Sequence, residues 1–329
     1  MSVRRRRPNP DEEERTPGGE VERDVIWLWS TPRSGAELLL QLLSHPLRPD
    51  PQATLSFRPP PARAKVAPHV TPIDELRFGA HVAPWPGEAI EVGGAWMPGT
   101  LLNLCEQHDP YLLSRISEPV WREPLRGLAL TRIGAARERA VEHVRGIEAD
   151  SPIVVKEVTT THAADRVMDL MPRSRMIVVV RDPRDVVHSR LEIPETFDEE
   201  VEPLRGDDRA EELRRVAQLW AMSVDVCAKA SAAHDPERSA RIRFEDLLAD
   251  PAAALAHAFA VVGAERDADA IAEAVELSSV GDHPPDREPL ERDLDTAPGA
   301  WREGLTDAEV RTVEQIAGPR LEALGYEPA

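Results

Sequence analysis

The strongest constraint on this chain is a junction near its start. Asp24 to Trp29 (DVIWLW) is an unbroken apolar run rich in β-formers, the pattern of a strand buried on both faces of a parallel sheet. Ser30-Thr31-Pro32-Arg33-Ser34-Gly35-Ala36-Glu37 follows at once, and Leu38 to Leu43 then reads as a helix. A strand feeding directly into a helix opens a βαβ unit, because parallel strands need a crossover to reach one another.

The remainder repeats that alternation. Ile153 to Val155, Arg175 to Val180 (RMIVVV) and Ala240 to Phe244 (ARIRF) predict strands. Helical spacing covers Thr131 to Ile147, His162 to Met171, Arg184 to Leu191, Arg209 to Ala232, Pro251 to Val262, Ala268 to Leu277 and Asp307 to Leu324. The expected fold class is α/β: a single domain over residues 24–329 with a central parallel sheet flanked by helices. Residues 1–23 carry an Arg4–Arg7 run followed by acids, Pro and Gly, with no apolar core, which predicts a disordered tail rather than a secretion signal. Between His45 and Pro124, prolines alternate with Phe57, Phe78, Trp85, Trp96, Tyr111 and Trp121, with little periodicity beyond a short helix at Thr100 to His108. Residues 45–124 are therefore expected to form a lid or binding region. The acidic stretch Glu195 to Asp208 reads as an exposed loop.

Charge narrows the partners. With 59 Asp+Glu against 40 Lys+Arg, the net charge is -19, which argues against nucleic acid or an anionic membrane surface. A few convergent arginines still suffice for a polyanionic nucleotide, and arginine carries nearly all the positive charge because the lysines are only Lys65, Lys156 and Lys229. No run reaches the roughly 18 apolar residues of a membrane helix, and a cytoplasmic location is expected. Cys105 and Cys227 are too few for a disulfide framework and read as buried thiols. The histidines and cysteines lack close metal-ligand spacing, so no metal is expected. Oligomeric state stays open, since the apolar helices suit a core or a second copy.

Two junctions carry chemistry. In an open α/β sheet, ligands bind at the carboxyl ends of the strands. The helix after Ser30–Glu37 would offer unpaired N–H groups and a positive dipole end to an anion. There Gly35 permits close backbone approach, Ser34 adds a hydroxyl and Arg33 a fixed charge. An ordinary strand-to-helix turn would look similar. The Gly-x-x-x-x-Gly-Lys-Ser/Thr pattern is absent, so a kinase or ATPase loses its metal-holding hydroxyl. The second junction, Arg181-Asp182-Pro183-Arg184-Asp185-Val186-Val187-His188-Ser189, follows the strongest strand. Asp182 suits the helix cap, Pro183 the first helical position and Asp185 the capping-box acid. Arg181 can then point at a ligand, with Ser189 two turns on.

Taken in order, STPRSGAELLL, VVVRDPRDVVHSR, RIRFEDLLADP and GAWREGLTDAEV…LGYEP resemble motifs of the sulfotransferase family that uses 3'-phosphoadenosine 5'-phosphosulfate (PAPS), over Val25 to Tyr326. The resemblance implies a P-loop-like sulfotransferase fold and sulfuryl transfer to a hydroxyl of a small-molecule acceptor, releasing PAP. It implies that Arg33 contacts the transferring group and that Ser34, Gly35, Ala36 and Glu37 surround the 5'-phosphosulfate. Arg181 and Ser189 would bind the 3'-phosphate, Trp301 and Arg302 would help close the nucleotide site, and residues 45–124 would meet the acceptor. Glu157 is the first candidate for the base and His162 the second, with His69 and His81 as alternatives. Ala36 and Glu37 depart from the family's Thr or Ser: one removes a hydroxyl and the other sets an acid on the helix's first turn. A PAP-binding homologue with impaired turnover is therefore an alternative, and a P-loop kinase a remoter one.

Overall fold

The computed structural model describes residues 19–31, 33–49, 57–58, 65–82, 118–192, 206–263, 266, 268–279 and 298–329. Its centre is a sheet of five parallel strands in the order β4-β5-β1-β6-β7. These are β1 (Val25–Ser30), β4 (Thr71–Asp74), β5 (Ile153–Glu157), β6 (Arg175–Val180) and β7 (Ser239–Arg243), while the two-residue strands β2 (Arg48–Pro49) and β3 (Phe57–Arg58) pair separately.

The helices, in chain order, are α1 (Gly19–Asp24), α2 (Ala36–Ser44), α3 (Gly79–Val82), α4 (Glu118–His143), α5 (Ala164–Leu170), α6 (Pro183–Glu192), α7 (Gly206–Ala233), α8 (Phe244–Ala249), α9 (Pro251–Val262), α10 (Ala268–Ser279), α11 (Trp301–Gly304), α12 (Asp307–Ala317) and α13 (Pro319–Ala323). Every residue of β1 is buried, and its side chains alternate between two cores. Val25, Trp27 and Trp29 pack with residues of α4, α5, α6, α7 and α12, whereas Ile26 and Leu28 pack with α2, α9 and α10. This alternation across a sheet covered on both faces is why the strand is apolar without interruption. Trp27 stacks on Trp29 and on Phe78, with ring centroids 5.7 and 6.0 Å away.

Several sequence expectations shift. Residues 19–23, assigned to a disordered tail, form α1, and Glu22 is buried against Arg126 while accepting from the Arg173 N–H at 2.8 Å. A buried charge needs such a partner, and α4 supplies it from more than a hundred residues away. α4 begins at Glu118, before the expected Thr131, and carries Pro124 inside. The segment 45–124 is not only a loop region, because Thr71–Asp74 adds an edge strand to the sheet. Pro72 hid that strand, since an edge strand tolerates a residue without an N–H. The last expected helix divides into α12 and α13 at Gly318, whose φ is 55. The expected short helix at Thr100 to His108, the acidic Glu195–Arg205 part of the loop, Cys105, Trp85, Trp96 and Tyr111 lie outside the described residues. Cys227 is buried, and burial pushes its thiol up to about 12. No helix among the described residues is long and apolar enough to cross a membrane.

Candidate active site

The carboxyl ends of β1, β5 and β6 meet at the Ser30–Glu37 loop. Arg33 and Gly35 both take left-handed backbone conformations, with φ of 67 and 84. Glycine reaches that region freely, whereas Arg33 holds it against a steric cost of about 1 kcal/mol. Gly35 is needed for space as well: a Cβ there would lie 2.2 Å from the Phe244 ring. Ser34 is buried, its Oγ 2.5 Å from Thr31 Oγ1. Gly35 then caps α2 without any side-chain hydrogen bond. Ala36 begins the helix and is buried.

The second motif folds against this loop. Arg181 is 1% exposed; its Nη1 donates to the Arg33 carbonyl at 2.9 Å, and its guanidinium lies 4.6 Å from the centre of the Phe244 ring. Its own carbonyl accepts from Trp220 Nε1 at 2.9 Å. Arg33 Nε donates to Ser189 Oγ at 3.1 Å, and Ser189 is fully buried. Asp182 caps α6 as expected, accepting the Arg184 N–H at 2.9 Å. Asp185 does not close a capping box. It accepts instead from the Gly299 and Trp301 N–H groups, at 2.8 and 3.1 Å, because the chain end packs over the start of α6.

Trp301 and Arg302 join this corner through α6. The Trp301 ring carries the Arg184 guanidinium at 4.1 Å and that of Arg302 at 4.5 Å. Arg184 is tied to Asp182 at 2.7 Å and Glu314 at 2.8 Å, so it locks the chain end. Glu245 accepts from the Asp182 N–H at 2.9 Å and from Tyr326 Oη at 3.0 Å, a link that only folding assembles.

Glu37 is ion-paired. Its Oε2 lies 2.5 Å from Lys156 Nζ, and its Oε1 accepts from Gln41 Nε2 at 3.0 Å. Asp74 holds the same ammonium at 2.7 Å. Burial opposes the charged lysine, but Glu37, Asp74 and Glu75 outweigh it and hold its pKa above the ordinary lysine range. The acid in the loop helix's first turn thus shares an ammonium with Asp74, supplied by a residue 119 positions away.

Glu157 is wholly buried and accepts from the Phe78 N–H at 2.8 Å and from the Thr160 hydroxyl. Burial, with the nearby charge of Glu75, pushes its carboxyl up to about 8. His162 is also buried, on the single turn Thr161–Ala163. Thr161 Oγ1 next to it donates to the Ser30 carbonyl at 2.6 Å, which docks that turn on the end of β1. His69 accepts from Arg266 Nε at 3.1 Å, and burial with that neighbouring charge lowers it to about 4. Its partner Arg266 precedes α10 and also donates to the His45 carbonyl at 3.2 Å, so the structure sets His69 in that contact. Of the His81 side chain nothing is described.

A family model described as the sulfotransferase family matches residues 26–268. The chain belongs to that family. This sulfotransferase resembles three solved structures over most of their length. The sulfotransferase domain of the Synechococcus PCC 7002 olefin synthase has 17% identity and a TM-score of 0.45, with 92% of this chain and 94% of that one covered. Mouse sulfotransferase SULT7A1, complexed with PAP, has 11% identity and a TM-score of 0.49, with 94% and 90% covered. Sulfotransferase STF9 from Mycobacterium avium has 16% identity and a TM-score of 0.45, with 97% and 80% covered. No curated protein matches the sulfotransferase significantly.

Proposed function

We propose that this sulfotransferase moves a sulfuryl group from PAPS to a hydroxyl of a small-molecule acceptor and releases PAP. The observation that carries the reading is the contact between the two anion-binding motifs: Arg181 donates to the Arg33 carbonyl while Arg33 donates to Ser189. Two guanidiniums, two buried serine hydroxyls and a helix start without a side-chain cap form a donor set suited to a nucleotide bearing two separate anionic groups. In the transfer, the acceptor oxygen bonds to sulfur as the sulfur's bond to the phosphate oxygen breaks, and the hydroxyl proton leaves to a base.

Arg33 would face the charge that develops on the departing phosphate, and Arg181 with Ser189 would hold the 3'-phosphate. Ser34, Gly35, Ala36 and Glu37 would offer backbone N–H groups to the 5' side. Trp301 and Arg302 would brace the corner through Arg184. For the base, Glu157 is buried and committed to two hydrogen bonds, and at neutral pH its raised pKa leaves it protonated. These facts favour His162 for the proton. The acceptor would enter beside residues 45–124.

A second reading, a PAP-binding protein without turnover, is favoured by Ala36, which offers no hydroxyl, and by the engagement of Glu157. Calorimetry with PAP tests the donor assignment, and micromolar affinity is expected. Labelled PAPS offered with a panel of hydroxylated metabolites separates the readings. Labelled product supports transfer, binding without product supports the second reading, and an absence of PAP binding removes both.

A further inference from the structure

Lys156 ends β5 beside the loop helix, with its ammonium between carboxylates from two other elements. Asp74 is its register partner on the edge strand β4, and Glu37 stands in the first turn of α2. The distances are 2.7 and 2.5 Å, and the Lys156 side chain is only 11% exposed. One buried cation therefore ties the sheet edge to the helix that opens after the phosphate loop. Gln41, one turn further along α2, holds the other Glu37 oxygen. Both oxygens of Glu37 are engaged, and the carboxylate faces the β4–β5 edge.

We propose that Lys156 is a positioning residue that acts through Glu37, holding this carboxylate against the sheet edge and offsetting part of its charge so that the start of α2 can receive the donor's anionic group. The inference rests on the reading of Ser30–Glu37 as the donor loop. A carboxylate in a helix's first turn suits the dipole of an empty helix but repels an anion bound at the same end. Removing one member of a buried ion pair leaves the other as an uncompensated charge. Loss of Lys156 thus strands Glu37 and Asp74 together, and neutralising Glu37 removes the one of the two acids that stands in the helix's first turn.

The test is a double-mutant cycle on the full chain, read by calorimetry with PAP and separately with inorganic pyrophosphate. Lys156→Met is expected to weaken both by about tenfold or more. In the Glu37→Gln background the same substitution is expected to cost less than about threefold, so that the double variant binds more tightly than Lys156→Met alone. A folded double variant as weak as Lys156→Met overturns the proposal, because Lys156 would then meet the ligand itself. Equal loss in Glu37→Gln overturns it too, as does failure of both Lys156 variants to fold. If Lys156→Met alone fails to fold, the double variant decides by the same criterion. A wild-type chain that binds pyrophosphate but not PAP removes the PAPS reading and leaves the cycle readable on pyrophosphate. One that binds both ligands without Glu37–Lys156 coupling removes only this inference, and one that binds neither removes both.

Discussion

Arg33 Nε donates to Ser189 Oγ at 3.1 Å, joining side chains 156 positions apart across the ends of β1 and β6. The bond puts the loop's cation and the second motif's buried hydroxyl in one corner. Arg181 closes the same corner from behind through the Arg33 carbonyl.

Arg33→Ala is expected to lower kcat with PAPS by about a hundredfold or more, the scale on which a preorganised charge acts in a transition state. The fold should survive, since the side chain is only part-buried. Steady-state kinetics beside a thermal melt checks both. Turnover at the wild-type rate would take Arg33 out of the mechanism.

Ser189→Ala removes one hydroxyl from a fully buried site. A hydrogen bond to a charged group contributes about 1.5–3 kcal/mol, so PAP affinity should fall roughly tenfold or more. Adenosine 5'-phosphosulfate, which lacks the 3'-phosphate, should bind the variant and the wild-type chain alike. A parallel loss for both ligands would argue against a 3'-phosphate role.

Gly35→Ala meets two obstacles: a φ of 84 and a Cβ position 2.2 Å from Phe244. A destabilisation of about 2–4 kcal/mol is expected, visible in urea denaturation. Adding Phe244→Ala should relieve the clash but not the backbone strain. Unchanged stability in the single variant would contradict this loop conformation.

Glu157 gives stability a pH dependence of definite sign. Its ordinary pKa is 4.5, and in the folded chain it is raised to about 8 by burial and then by Glu75. Between these values the folded chain holds a proton that the unfolded chain has released, so stability falls as pH rises through that window. Below it, the contribution is fully present. Denaturation midpoints from pH 4 to 9 should decline less steeply in Glu157→Gln, and the same slope in both proteins would show that Glu157 does not titrate as described. Glu157→Gln should also retain turnover while His162→Ala loses it, and the reverse pattern would return the base to Glu157.

What the sequence by itself determined was local or repetitive. The apolar run of β1, the run Arg175–Val180 and the helix Pro251–Val262 were readable because burial on both faces, or one capped apolar face, leaves its mark on neighbouring residues. The two strand-to-helix junctions proposed as anion sites were readable for the same reason, since strand end, turn, cap and helix lie within a few positions of one another. The tertiary structure alone decided which side chains meet. β4 escaped notice because its pairing with β5 crosses some eighty residues and its Pro72 mimics a loop. Lys156 followed a predicted strand, but only the strand order set it between Asp74 and Glu37, and only folding enclosed Glu157 with Phe78 and Thr160. Ion pairs and burial depend on distance in space, and sequence spacing carries no record of it once a sheet brings remote strands to 5 Å.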